Sequence, residues 1–134
     1  MRRVLLVDDA PEVLRMLTRT LEPFKTEWEC RFVGSGADAL AALETAEFNV
    51  VATDVIMPGM DGLQLLKAVK AKYPTVVRIA FSGQHGQGLG LRSTGLAHQF
   101  LEKPIDPQQL CSVMSRACRL RSLLADEKIR NVVT

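Results

Sequence analysis

The chain has 134 residues, 47% of them hydrophobic and 24% charged, which is enough for one domain with a substantial core and excludes a chain disordered throughout. Its 17 Lys and Arg against 15 Asp and Glu leave a formal charge of +2 with the positive residues scattered, so no basic stripe marks a nucleic-acid-binding face and no direct nucleic-acid partner is expected. No apolar run approaches the roughly 18 residues that cross a bilayer, and the odd count of three separated cysteines fits a reducing, cytoplasmic setting better than a disulfide framework.

Arg3 to Val7 is a short apolar run ended by Asp8-Asp9-Ala10-Pro11, and it reads as a buried strand. Pro11 suits the first turn of a helix whose apolar positions Val13, Leu14, Leu17 and Leu21 share one face and which stops near Pro23. Trp28 to Val33 reads as a second strand, with Trp28 a packing contact at the sheet edge, and Ala37 to Thr45 as an Ala-rich helix after Gly34-Ser35-Gly36. Phe48 to Thr53 is a third strand leading into Asp54, apolar enough for burial on both faces. A Pro- and Gly-containing loop over 56–62 precedes a helix striped by Leu63, Leu65, Leu66 and Val69 that ends near Tyr73-Pro74. Val76 to Phe81 is a fourth strand, followed by Ser82-Gly83. Ala97 to Leu101 is a fifth, ended by Glu102-Lys103-Pro104. Asp106-Pro107 caps a last helix whose inner side is expected to carry Leu110, Val113, Met114, Ala117, Leu120 and Leu124. Five strands alternating with about five helices give an α/β fold, a five-stranded parallel sheet doubly wound as (βα)5 in the flavodoxin-like manner.

In such a sheet the ligand site lies beyond the carboxyl ends of the strands. Asp8 and Asp9, Asp54, Ser82 and Lys103 terminate four of the apolar runs and therefore fall there together. Singly, each has an ordinary explanation as a cap, a turn or a solvated loop; together they do not. Grouped carboxylates repel one another and favour a hard cation with oxygen ligands, Mg²⁺ or Mn²⁺. A hydroxyl and an ammonium opposite suit a phosphoryl group, and Asp54 is the candidate oxygen nucleophile.

With Val7-Asp8-Asp9, the run Asp54-Val55-Ile56-Met57-Pro58-Gly59-Met60-Asp61-Gly62, Ser82-Gly83 and Lys103-Pro104, the chain resembles the receiver domain of two-component response regulators over about residues 3–124. The resemblance implies that Asp54 is the phosphoacceptor and that Asp8 and Asp9 hold Mg²⁺ together with Asp54 and the backbone carbonyl of Ile56. It further implies that Ser82 bonds the phosphoryl oxygen and moves on activation, that Lys103 pairs with the acyl phosphate, that Pro104 follows in the cis form, and that Phe100 is the rotating aromatic switch. The implied partners are a sensor histidine kinase or phosphotransfer protein as donor, a C-terminal output domain, and a second copy of the chain in a homodimer. The implied chemistry is self-catalysed phosphotransfer with slow autodephosphorylation.

The chain departs from that family's pattern between residues 84 and 95, where Gly86, Gly88 and Gly90 interrupt the crossover and a short or irregular helix over Leu89 to Thr94 is expected. His85 reads as an incidental loop residue and His98 as a polar neighbour of the fifth strand. Cys111 and Cys118, seven apart, read as small buried residues on one helix face. Residues 1–124 are expected to form the receiver and 125–134, with Ile129 and Val132, to begin a linker or helix extension. The run from Gly95 to Pro104 resembles receivers joined to an HDOD-type output. A pseudo-receiver that binds a partner without phosphotransfer is the competing reading. A related enzyme fits less well: no glycine-rich phosphate loop follows the first strand, and a phosphoaspartate phosphatase would need a second Asp where Ile56 stands.

Overall fold

The computed structural model describes residues 2–57, 59–82 and 95–133, with side chains described to residue 120 and at 122. The expected helix over Leu89 to Thr94, Gly83, His85, Pro58 and the side chains of Leu124, Ile129 and Val132 lie outside the described residues. The elements are β1 (Arg2–Val7), α1 (Pro11–Thr20), a 3-10 turn (Glu22–Phe24), β2 (Trp28–Val33), α2 (Gly36–Thr45), β3 (Val50–Asp54), α3 (Gly62–Lys72), β4 (Val77–Ser82), β5 (Gln99–Glu102) and α4 (Pro107–Val133).

All five strands pair in parallel in the order β2-β1-β3-β4-β5. Alternation along β1 divides the core into two layers. Val4 and Leu6 face α1 and α4 through Leu17, Leu21, Leu110 and Met114, whereas Leu5 and Val7 face α2 and α3 through Ala39, Leu43, Leu65 and Val69. Each of these buried Leu and Val side chains contributes roughly 1.5–3 kcal/mol of burial free energy. Trp28, only 2% exposed, packs into the first layer at the edge strand, with the Arg2 guanidinium 5.9 Å above its ring. Cys111 and Cys118 are both buried there as well.

The helices start where short-range chemistry satisfies their first N–H groups. Ser35 Oγ accepts from Asp38 N at 3.1 Å, and Asp61 and Gln64 form a reciprocal capping box at α3. Asp106 Oδ1 accepts from Gln108 N at 3.0 Å at α4. Ala10 stands before Pro11 with no side-chain cap of its own, and Asp8 Oδ1 takes the Ala10 N–H at 2.9 Å.

Several boundaries differ from expectation for identifiable reasons. Regular pairing in β3 begins at Val50 rather than Phe48, because Asn49 takes the Arg3 N–H with its side-chain oxygen at 2.8 Å. β5 begins at Gln99 rather than Ala97, because His98 accepts the Arg78 N–H on Nδ1 at 2.9 Å in place of a strand carbonyl. Asp54 and Ser82 are the last residues of β3 and β4, not the first residues after them. Leu120 is not on the inner side of α4: it is 56% exposed. Leu110, Met114 and Cys118 form the buried row at four-residue spacing, and at 100° per residue Leu120 is turned about 200° from Cys118. The buried Arg78 was not anticipated; its Nε donates to the Leu96 carbonyl at 2.7 Å and Nη1 to the Val76 carbonyl at 3.4 Å, which satisfies a charge inside an apolar strand.

Two glycines near the strand ends differ in what they permit. A Cβ at Gly62 would overlap the Asp54 carbonyl oxygen and stand 2.7 Å from Val55 Cα, whereas one at Gly34 would meet nothing closer than the Asp8 carbonyl oxygen at 4.0 Å. In chemical denaturation Gly62→Ala should cost about 3 kcal/mol or more, and Gly34→Ala should be neutral or stabilising by up to about 1 kcal/mol. Burial pushes the Cys111 thiol up from 9.0 to about 11, with smaller contributions from Cys30 and Glu27. Its ionisation is thus harder in the folded than in the unfolded chain, so the stability tied to the neutral thiol is intact below pH 9 and falls between pH 9 and about 11. Over that window Cys111→Ala should lose less stability than the unsubstituted chain, by roughly 2–3 kcal/mol in denaturation midpoints converted to free energy.

Candidate functional site

β1, β3, β4 and the turn after β5 deliver four charged residues and one hydroxyl to one end of the sheet. Asp8 follows β1, and its N–H donates to the Val33 carbonyl at 3.2 Å, which holds the turn against β2. Asp54 ends a strand whose five residues are all buried. Ser82, 2% exposed, ends β4, and its carbonyl accepts the Lys103 N–H at 2.9 Å, which fixes the start of the turn carrying Lys103. The Lys103-Pro104 peptide is cis, as expected.

Oxygens of Asp8, Asp9 and Asp54 all lie within 4.8 Å of one another, with Asp8 and Asp54 buried and Asp9 exposed. The Lys103 ammonium sits 3.1 Å from Asp8 Oδ2 and 3.3 Å from Asp54 Oδ1. The set is all oxygen, its acidic members are clustered, and one of them is open to solvent. That is the donor chemistry of a hard divalent cation that keeps some of its water.

The electrostatics follow from crowding. Burial is the main cause that pushes the Asp54 carboxyl above its ordinary value; Lys103 pulls it down, and Asp8 and Asp9 push it further up. Burial alone would lower the Lys103 ammonium, but hydrogen bonds and charge from Asp8 and Asp54 outweigh it and leave its pKa raised. Lys103 therefore stays charged between the two carboxylates at any physiological pH.

Five of the residues singled out in the sequence, Asp8, Asp9, Asp54, Ser82 and Lys103, thus converge on one end of the sheet. Ile56 is 60% exposed in the connection that follows Asp54. Phe100 stands two residues back from the strand end, paired with Ala80 and half-buried against Val55, Leu66 and Leu96. His98 is exposed beside β5, at the opposite end of that strand from Lys103. Reading the sequence missed the tight seats that Gly36 and Gly62 provide for the connection between β3 and α3. The only signal for them was a pair of glycines at helix starts.

Because the folded pKa of Asp54 is raised, ionising it costs stability at any pH above its ordinary value of 3.8 and costs nothing below, where the group is neutral in both states. Without divalent cation, Asp54→Asn should therefore be more stable than the unsubstituted chain at pH 7. The gain should fade as the pH drops through 3.8, in paired denaturation curves at neutral and acid pH.

The same fold occurs in known proteins. Residues 4–115 match the response regulator receiver domain family. The chain is 32% identical over 126 residues, 92% of its length, to the hydrogenase transcriptional regulatory protein HoxA of Cupriavidus necator, of which it covers 25%. It is 33% identical over 113 residues to the DNA-binding response regulator MtrA of Mycolicibacterium smegmatis, covering 81% of this chain and 47% of that one. The chain thus spans between a quarter and a half of these relatives. Among solved structures, it superposes on the signal receiver domain of an HD domain-containing protein from Pseudomonas fluorescens with a TM-score of 0.80 at 27% identity, covering 90% of this chain and 97% of that one. It also superposes on a structure described as adenylate cyclase from Rhodopirellula baltica with a TM-score of 0.84 at 25% identity, covering 99% and 98%. A parallel sheet in the order β2-β1-β3-β4-β5, an acidic cluster at its carboxyl end and these matches have one common explanation: the chain belongs to the response regulator receiver domain family.

Proposed function

We propose that this chain is a cytoplasmic signalling receiver that takes a phosphoryl group from a histidine kinase phosphohistidine onto Asp54 and, so modified, switches a partner or an output domain. The observation that carries the reading is the placement of one ammonium, Lys103, against both Asp54 and Asp8 within a three-carboxylate cluster. A solitary buried carboxylate is a poor acceptor for an anionic group, whereas this one has a fixed cation beside it and a cation-binding cluster around it.

Asp8, Asp9 and Asp54, with the Ile56 backbone carbonyl, are the residues that would hold Mg²⁺. Bound there, the ion supplies positive charge that offsets the carboxylates and the incoming phosphoryl oxygens. The chain's own residues do the rest. The Asp54 carboxylate oxygen attacks phosphorus and forms the new P–O bond; the P–N bond to the donor imidazole breaks, and the imidazole leaves with the electron pair and takes up a proton. Burial of Asp54 at a strand end keeps its backbone from moving during attack. The Lys103 ammonium lies where it can follow the negative charge from the Asp54 carboxylate to the acyl phosphate. Ser82, at the end of the neighbouring strand, is the hydroxyl assigned to the phosphoryl oxygen. Drawn inward, it would open space for Phe100, whose ring is already half-buried on the same strand pair. The signal is then a shift in population between two arrangements of this edge.

A small phosphodonor with Mg²⁺ should add one phosphoryl group, read by intact mass, and Asp54→Asn should take none while folding normally. Lys103→Ala should fold and label roughly 100-fold more slowly. A chain that takes no label from a small donor or from any phosphohistidine protein would be a pseudo-receiver, and undiminished acid-stable labelling of Asp54→Asn would remove Asp54 from its role.

A further inference from the structure

We infer that Gly36, which lies outside the charged site, is a positioning residue for it: its missing Cβ leaves the room in which Met60 seats the connection from β3 to α3, and that seat sets where the connection meets the acidic cluster. The inference rests on the reading that this cluster, with the Ile56 carbonyl, holds Mg²⁺.

The connection is tied down at both ends. Val55 N donates to the Phe81 carbonyl at 3.2 Å, and Gly62 N donates back to the Val55 carbonyl at 2.8 Å. At Gly62 the chain already lies so close to Asp54 that no Cβ fits, so this end has no slack. Between the ties, Met57 is 5% exposed and Met60 half-buried, and both pack in the layer formed by Ala39, Leu65 and Val7. Ile56 points away and is 60% exposed, so it gives the connection no hold on the core.

Met60 rests directly on the first residue of α2. A methyl group on Gly36 would stand 2.8 Å from Met60 Sδ, 2.9 Å from Cγ and 3.1 Å from Cβ. The thioether end of Met60 can swing aside, but Cβ is one bond from the backbone, so part of any displacement enters the chain at residue 60. The helix does not recoil instead: it is fixed by the Ser35 cap at 3.1 Å and by Ala39, which is fully buried against the sheet. With Gly62 unable to give, the displacement passes into the stretch carrying Met57 and Ile56. The same helix start follows Val33, whose carbonyl accepts the Asp8 N–H at 3.2 Å. Gly36 therefore stands between the two halves of the cluster, joined to Asp8 through β2 and to the Ile56 connection through Met60.

A purely structural role makes a different forecast. Alanine is the better helix former, so Gly36→Ala in the first turn of α2 carries no intrinsic helical penalty. A positioning role adds an effect on the metal affinity to whatever the contact with Met60 costs in stability. The test is calorimetric Mg²⁺ titration of the unsubstituted chain, Gly36→Ala, Met60→Gly, the double variant and Asp9→Ala, with denaturation midpoints of each in chelator. Gly36→Ala should bind Mg²⁺ about tenfold more weakly, with any fall in its chelator midpoint recovered when the Met60 side chain is removed. In the Met60→Gly background the same substitution should cost less than about threefold, because the clashing Cβ, Cγ and Sδ are all gone. Equal Mg²⁺ affinity of the unsubstituted and Gly36→Ala chains, with Asp9→Ala clearly weakened, overturns the positioning role and leaves the metal reading standing. So does a tenfold loss that persists in full without the Met60 side chain. Failure of the unsubstituted chain to bind Mg²⁺ at all overturns both.

Discussion

The arrangement depends on one ammonium group among carboxylates. Three carboxylate side chains brought to one end of the sheet, two of them buried, would push the elements that carry them apart. Lys103 counters this by touching Asp8 and Asp54 at once, and it is placed by the Ser82 carbonyl, which ties its backbone to β4. The contacts are partly buried, so solvent screens them less than a surface pair. Every other feature of the site can be read as a response to this crowding. Asp9 is left exposed, Asp54 is held at the end of a fully buried strand, and the remaining negative charge suits a divalent cation.

This charge balance also explains how a small chemical change can be felt at a distance. The ion pairs that hold β1, β3 and the turn after β5 together share a single cation. Under the proposed function, a phosphoryl group on Asp54 would compete with Asp8 for that cation, and the Lys103–Ser82 bond would carry the competition to the backbone of β4. Phe100 lies on β5 just behind that junction. Of the strands near this junction, β5 is the least buried, whereas β3 and β4 are buried along their whole length.

Much of the architecture was legible in the sequence because buried parallel strands are nearly continuous apolar runs, and the polar residue that ends each run marks the functional end of the sheet. Asp8, Asp54, Ser82 and Lys103 could be grouped on that basis alone. What the sequence did not show were effects that depend on side chains replacing backbone partners. Asn49 and His98 each substitute a side-chain acceptor for a carbonyl and so shift the start of a strand. Arg78 hides a charge in an apolar run because two carbonyls from separate segments converge on it. Leu120 belongs to an apolar pattern that outlasts the surface it would cover, since the buried row of α4 is set by Leu110, Met114 and Cys118. The closeness of Gly36 to Met60 is a three-dimensional fit between residues 24 positions apart and has no local signature.

The fastening of β5 at its amino end carries a consequence for the opposite end. Its entry is pinned twice to Arg78: the His98 ring nitrogen and backbone N–H hold the main chain of that residue, and the Leu96 carbonyl holds its guanidinium. Strand registers are discrete, and a slip of one residue turns every side chain to the other face. The clamp therefore works like the zero mark of a ruler. Counting forward from it, Phe100 falls beside Ala80, Glu102 beside Ser82, and the next residue is the lysine. The accuracy with which a charge is delivered to one end of the strand is thus set at the other, by a buried arginine and the histidine that holds its main chain.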